Sequence, residues 1–213
     1  MRAAPIAVAA CLLLGGAPPV NGAEAQPATA DQWLESQHVI FRRYLNALRQ
    51  AQHDFENGYP TPTLIIPLIV DLFAGYVAHI HQVEHKALYP LAQARLPANQ
   101  QRTPELLRNE VRREFSSIRR LQQQWSQHDG ALASPALAET LEALVRSVNR
   151  HVVLQEEQIF PVLYSLKPEE HSRVLQQLSA VEQAFVPAGG RQRALQALDY
   201  LEDRIRIDSP RKW

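Results

Sequence analysis

Four imidazoles and one carboxamide, those of His38, His81, His85, His151 and Gln155, sit at helical spacing among apolar residues. His81 and His85 are four positions apart, and His151 and Gln155 repeat that interval, so each pair projects from one side of its helix. Pairs of this kind on facing helices of a bundle can converge on one point. Neutral imidazole is a ligand for iron, zinc, copper and nickel, which makes the chemistry that of a transition-metal site. Glu84 and Glu156 stand beside the pairs and can add a carboxylate. A lone histidine on an apolar face is ordinarily a hydrogen-bonded core residue; four at matching positions point to metal.

The segments that must position these groups read as helices. Leu34, His38, Phe41, Leu45 and Leu48 recur at three- and four-residue steps over 31–56, the stripe of an amphipathic helix. Asn57-Gly58-Tyr59-Pro60 closes it, and a second helix from about Thr63 to Ala94 carries Val70, Ala74, Val77, His81, His85 and Leu88. A third shows Leu107, Val111, Phe115, Ile118, Leu121 and Trp125. A fourth shows Leu137, Leu141, Leu144, Val148, His151, Gln155 and Ile159. With no strand pattern, the expectation is an all-α, up-down-up-down four-helix bundle over 26–166. Two short helices, 168–185 and 191–207, form a C-terminal extension over 167–213 that packs on the bundle.

Composition sets the outer limits. The 213 residues suffice for one domain with a full core. Lys plus Arg and Asp plus Glu balance at 22 each, which gives no reason to expect a nucleic-acid or anionic-membrane partner. Residues 1–25 combine an early Arg2, an apolar run from Ile6 to Leu14 and a small-residue exit near Ala23 or Ala25, the layout of a secretory signal peptide. The expected destination is the periplasm or the exterior, with no membrane insertion after the signal is removed. The single cysteine, Cys11, lies in that segment, so the mature chain is expected to lack disulfides, zinc-thiolate sites and cysteine catalysis.

HQVEHKALYP at 81–90 echoes HVVLQEEQIFP at 151–161, each closing on an aromatic and a proline. With His38 upstream, these motifs resemble the haemerythrin-like (HHE cation-binding) family: a first-helix histidine, a second-helix His-x-x-x-Glu, and a fourth-helix His-x-x-x-Glu-Glu ending in apolar-Phe-Pro. The resemblance implies a haemerythrin-like bundle and a non-haem iron site. It also defines departures. His85 stands where the family has glutamate, with Glu84 adjacent. Phe115 occupies the third helix's histidine position, and Gln155 replaces a glutamate that Glu156 follows. Setting Glu84 in the carboxylate position instead puts Ile80 where its histidine belongs. Neither Gln155 nor His85 can bridge two irons, so a mononuclear site of His38, His81, His85 and His151 is favoured over a di-iron centre. Glu84 or Glu156 would be its fifth partner, and iron, zinc or copper its metal. Phe115 is expected to fill the core and block a second metal.

His79 falls off the paired face, and His53, His128 and His171 read as surface residues. The Arg42-Arg43 and Arg119-Arg120 pairs read as solvated faces. The function expected is that of an exported metal-binding protein, not an enzyme, that senses or handles O2, NO, peroxide or the metal itself. The competing reading is a metal-free bundle kept as a structural or protein-interaction module. Peroxide or nitric-oxide turnover ranks below both.

Overall fold

The computed structural model describes residues 27–57, 61–127 and 135–208; the signal-peptide segment and His128 lie outside them. Among the described residues there is no strand. Helix α1 is Ala30–Glu56. Helix α2 is continuous over 61–93, formed by α-helical Thr61–Leu72, Ala78–Val83 and Tyr89–Gln93 with π-turns at Phe73–Val77 and Glu84–Leu88 between them. After a 3₁₀ turn at Ala98–Gln100 comes α3, Thr103–Gln127. Helix α4 covers 135–164, as Pro135–Leu154, a π-turn Gln155–Ile159, and Phe160–Tyr164. Helices α5 (Pro168–Phe185) and α6 (Gly190–Asp208) follow.

Two of the π-turns have a shared cause. Pro90 and Pro161 each lie inside a helix, where the ring has no N–H to donate and collides with the carbonyl four residues back. A widened turn just before each proline, Glu84–Leu88 and Gln155–Ile159, lets the helix continue without that clash. The internal echo seen in the sequence is therefore an echo in backbone geometry. Each widened turn begins on a residue of the site described below, Glu84 or Gln155.

Helix α4 packs on α3 and α1, while α2 packs on α1 and α3, which closes a four-helix bundle. Helices α5 and α6 lie over α1 and α2. The cover is fixed by Arg43, which donates to Glu202 Oε1 at 2.8 Å and Asp199 at 2.6 Å, and by Trp33 Nε1 donating to Glu182 at 2.7 Å. Residues 65–93 are apolar enough in length and composition to cross a membrane, but half of their apolar 18-residue stretch is buried in the bundle.

The apolar core is split in two. One cluster gathers Phe41, Leu48, Val77, Ile80, Ile118, Leu144 and Val148. The other gathers Leu34, Val83, Leu88, Leu107, Leu154 and Ile159. Between them runs a polar layer, so any charge in it sits in a low-dielectric slab closed at both ends.

Tyr44 lies near this layer, wholly buried, and its hydroxyl has no hydrogen-bond partner among the described residues. Burial pushes its phenol pKa well up, and the Glu114 carboxylate adds to the shift. Burying an unpaired hydroxyl costs roughly 1–3 kcal/mol. Tyr44→Phe is therefore expected to leave stability unchanged or raise it by about 1 kcal/mol in a denaturant titration. A loss of stability would reveal a partner for the hydroxyl inside the core.

Candidate metal centre

Each bundle helix delivers a polar side chain to the middle layer. His38 from α1, His81 and Glu84 from α2, Glu114 from α3, and His151 and Gln155 from α4 are all at most 2% exposed. On α2 the inward seam is Val77, His81, Glu84 and Leu88, at steps of four, three and four.

The contacts form a closed circuit. His81 Nε2 lies 2.9 Å from Glu114 Oε2, and His81 Nδ1 lies 3.1 Å from Glu84 Oε2. His151 Nδ1 lies 3.2 Å from Glu114 Oε1. Its Nε2 is 3.3 Å from Glu84 Oε2 but forms no hydrogen bond, an orphaned polar atom aimed at a carboxylate. Glu84 also accepts from Gln155 Nε2 at 2.9 Å and from the Tyr89 hydroxyl at 3.2 Å. His38 reaches the circuit indirectly, with Nε2 2.7 Å from Gln155 Oε1. Phe41 covers one side, its ring centroid 5.4 Å from that of His81 and 5.6 Å from that of His151.

Two carboxylates and two imidazoles in a dry layer strongly shift one another. Burial raises the Glu84 and Glu114 pKa values, but His151 and His81 outweigh it, bringing Glu114 down to about 2 and Glu84 also well below its usual range. Burial disfavours charge on His151, yet Glu84 and Glu114 overcome it and push the pKa up to about 10; His81 is raised in the same way. His38 is lowered, because burial exceeds the support from Gln155 and Glu156. The quartet is thus electrically neutral with two bound protons or with one divalent cation in their place.

The sign of the resulting pH dependence follows. The depressed carboxylates contribute stability present above their ordinary value of 4.5 and lost as pH falls through the folded value, about 2 for Glu114. The raised imidazoles contribute stability present below 6.5 and lost as pH rises toward the folded value, about 10 for His151. With chelator present, the melting temperature is expected to be highest between about pH 4.5 and 6.5 and to fall on either side. A curve that climbs up to about pH 6.5 and stays level above it would mean that the imidazoles are buried neutral.

Several sequence expectations are changed by this geometry. His85 is exposed, at the side of the bundle where Arg108, Lys86 and Arg112 lower its pKa further than burial alone, so it does not face inward. The step from His81 to its inward partner is three residues, which selects Glu84; Ile80 is buried in the neighbouring apolar cluster. Glu156 stays at the rim, between His38 Nδ1 at 3.2 Å and Arg42 at 2.7 Å. Phe115 is not in the layer either: it is half-buried, edge-on to Phe73 at 4.9 Å. The neighbouring Glu114 takes the inward position that sequence reasoning had not assigned. The donor set is therefore mixed nitrogen and oxygen rather than mainly nitrogen.

His81, Glu84 and His151 place one ligand atom each within 4.8 Å of one another, a grouping that could hold a metal ion. The hemerythrin HHE cation-binding domain family matches residues 29–163. The chain belongs to this family. The haemerythrin-like match spans α1 through α4 and so contains every residue of the buried layer. Neither the comparison with curated proteins nor that with solved structures gives a match. The donors suit a cation: two imidazoles and a carboxylate that converge, a second carboxylate beside both imidazoles, and an orphaned histidine nitrogen within the set.

Proposed function

We propose that this haemerythrin-like protein is exported and holds one transition-metal ion, iron before zinc or copper, between His81, Glu84 and His151, with Glu114 bound to the far nitrogen of each histidine. The observation that carries the reading is the convergence of those three ligand atoms in a buried layer. Two histidines and one carboxylate make a donor set characteristic of non-haem ferrous sites. Iron there would supply Lewis acidity and redox capacity toward O2, NO or peroxide.

The chain's own residues do the rest. Tyr89 and Gln155 donate to Glu84 and fix the orientation of its carboxylate. Glu114 contacts a nitrogen of both histidines and sets their ring planes. Phe41 and the two apolar clusters exclude bulk water. Export rests on the layout of residues 1–25.

The test is elemental analysis of tag-free mature protein, purified without chelator, beside a His81→Ala/His151→Ala double variant. One equivalent of iron in the wild type and none in the variant is the expected result. Two equivalents would overturn the mononuclear reading, and none in a folded wild type would leave a bundle that acts through protein contacts. Uptake at neutral pH should also release up to two protons per ion, read by calorimetry in buffers of different ionisation heat.

A further inference from the structure

On the outer side of α3 and α4, away from the cover of α5 and α6, lies a groove of about 420 Å³. Its walls carry Arg113 and Arg120 from α3 and Arg146 and Arg150 from α4, with Ser116, Ser117 and Ser147 between them. Glu110 is the one carboxylate in the lining, so guanidinium groups outnumber it by three. In a chain whose acidic and basic residues balance overall, this is a local concentration of positive charge.

Ion pairing accounts for only part of it. Glu110, 3% exposed, draws in Arg113 at 2.7 Å and Arg150 at 3.3 Å. Arg146 meets Glu142 at 2.7 Å, an exposed pair one turn apart that holds it weakly. Arg120 has no acidic partner among the described residues. Arg113 and Arg120 are separated by about 10 Å of helix rise, and Arg146 and Arg150 by about 6 Å. Charge is therefore spread along the groove and not focused on one point. Guanidinium forks bind phosphate and carboxylate oxygens in pairs, and hydroxyls between them can donate to the same oxygens.

We propose that this groove is a binding site for a small polyanion bearing two or more phosphate or carboxylate groups. Its volume lies in the range of small-molecule sites, and its charge spacing fits several anionic groups in a row better than a single ion. No residue of the buried layer lines the groove: Ser147 and Glu110, hydrogen-bonded to each other at 3.2 Å, form its floor one turn from His151 and Glu114.

The experiment is fluorescence anisotropy of methoxypyrene trisulfonate, a non-chelating trianion, titrated with the full mature protein at low salt. Arg120→Gln/Arg146→Gln is the variant, since it leaves both Glu110 ion pairs in place. Saturable binding that weakens at least about 10-fold in the variant, with an unchanged melting temperature, is the expected result. Displacement by tripolyphosphate alone would assign phosphate chemistry; equal displacement by citrate would assign charge number, and both support the site. Equal affinity in the variant, or no binding at about 1 mM, would overturn it. So would binding of an acidic peptide with none of the trianion.

Discussion

Glu84→Gln is expected to weaken metal binding by more than about 100-fold, whereas His85→Ala, one residue on, should leave metal content unchanged. The contrast follows from burial. Glu84 is fully buried and touches both histidines, while His85 is exposed beside cationic side chains. The glutamine keeps the size of the side chain and can still accept from Tyr89, so the bundle should fold. What it loses is the negative charge that offsets a cation in a slab with little solvent. Circular dichroism would establish folding, and competition with a chromogenic chelator would give affinity. Metal loss in His85→Ala with retention in Glu84→Gln would place the ligand on the other side of α2.

Glu114→Leu should produce the largest loss of stability among single changes in the layer, about 3–5 kcal/mol in the metal-free protein. Its carboxylate contacts His81 at 2.9 Å and His151 at 3.2 Å, and it is fully buried. Removing it strands two imidazoles raised toward the charged form, which must then shed protons or drag solvent inward. A denaturant titration at about pH 6 gives the number, since that pH lies below the raised values of both imidazoles. Pairing the change with His151→Leu in a double-mutant cycle should recover part of the loss, because two apolar residues can fill the space of a broken ion pair. A loss under about 1 kcal/mol would mean that Glu114 is not charged in the core.

The bundle was legible because its helices carry apolar stripes with clear stops, and because the two aromatic-proline closures repeat. The third helix was the exception. Reading Leu107, Val111, Phe115, Ile118, Leu121 and Trp125 as the inward face found the buried Leu107, Ile118 and Leu121 but put Val111 and Phe115 where Glu110 and Glu114 point inward. The buried side runs through Leu107, Glu110, Glu114, Ser117 and Leu121, with Ile118 beside it, in steps of three and four whose middle is polar. Hydrophobicity marks the inward face only where the interior is apolar, and here α3 crosses the polar layer. The spacing of Glu110 and Glu114 between Leu107 and Leu121 was the available signal. On α2, two adjacent ligand-type residues, Glu84 and His85, could not be separated by spacing, because offsets of three and four share a helical face. Tertiary packing made that choice.

The near-complete burial of His81, Glu84, Glu114 and His151 also has a kinetic meaning. An ion lodged among them would leave past packed side chains and would wait for a helix to move aside. Its residence time is then set by the opening rate of the bundle, more than by the strength of any one coordination bond. The three contributing helices, α2, α3 and α4, are joined through chain separations of 33 to 71 residues, so the pocket exists only once they have all packed together. Metal retention in such a protein reports on fold integrity as a clock, slow while the bundle holds and fast once it loosens.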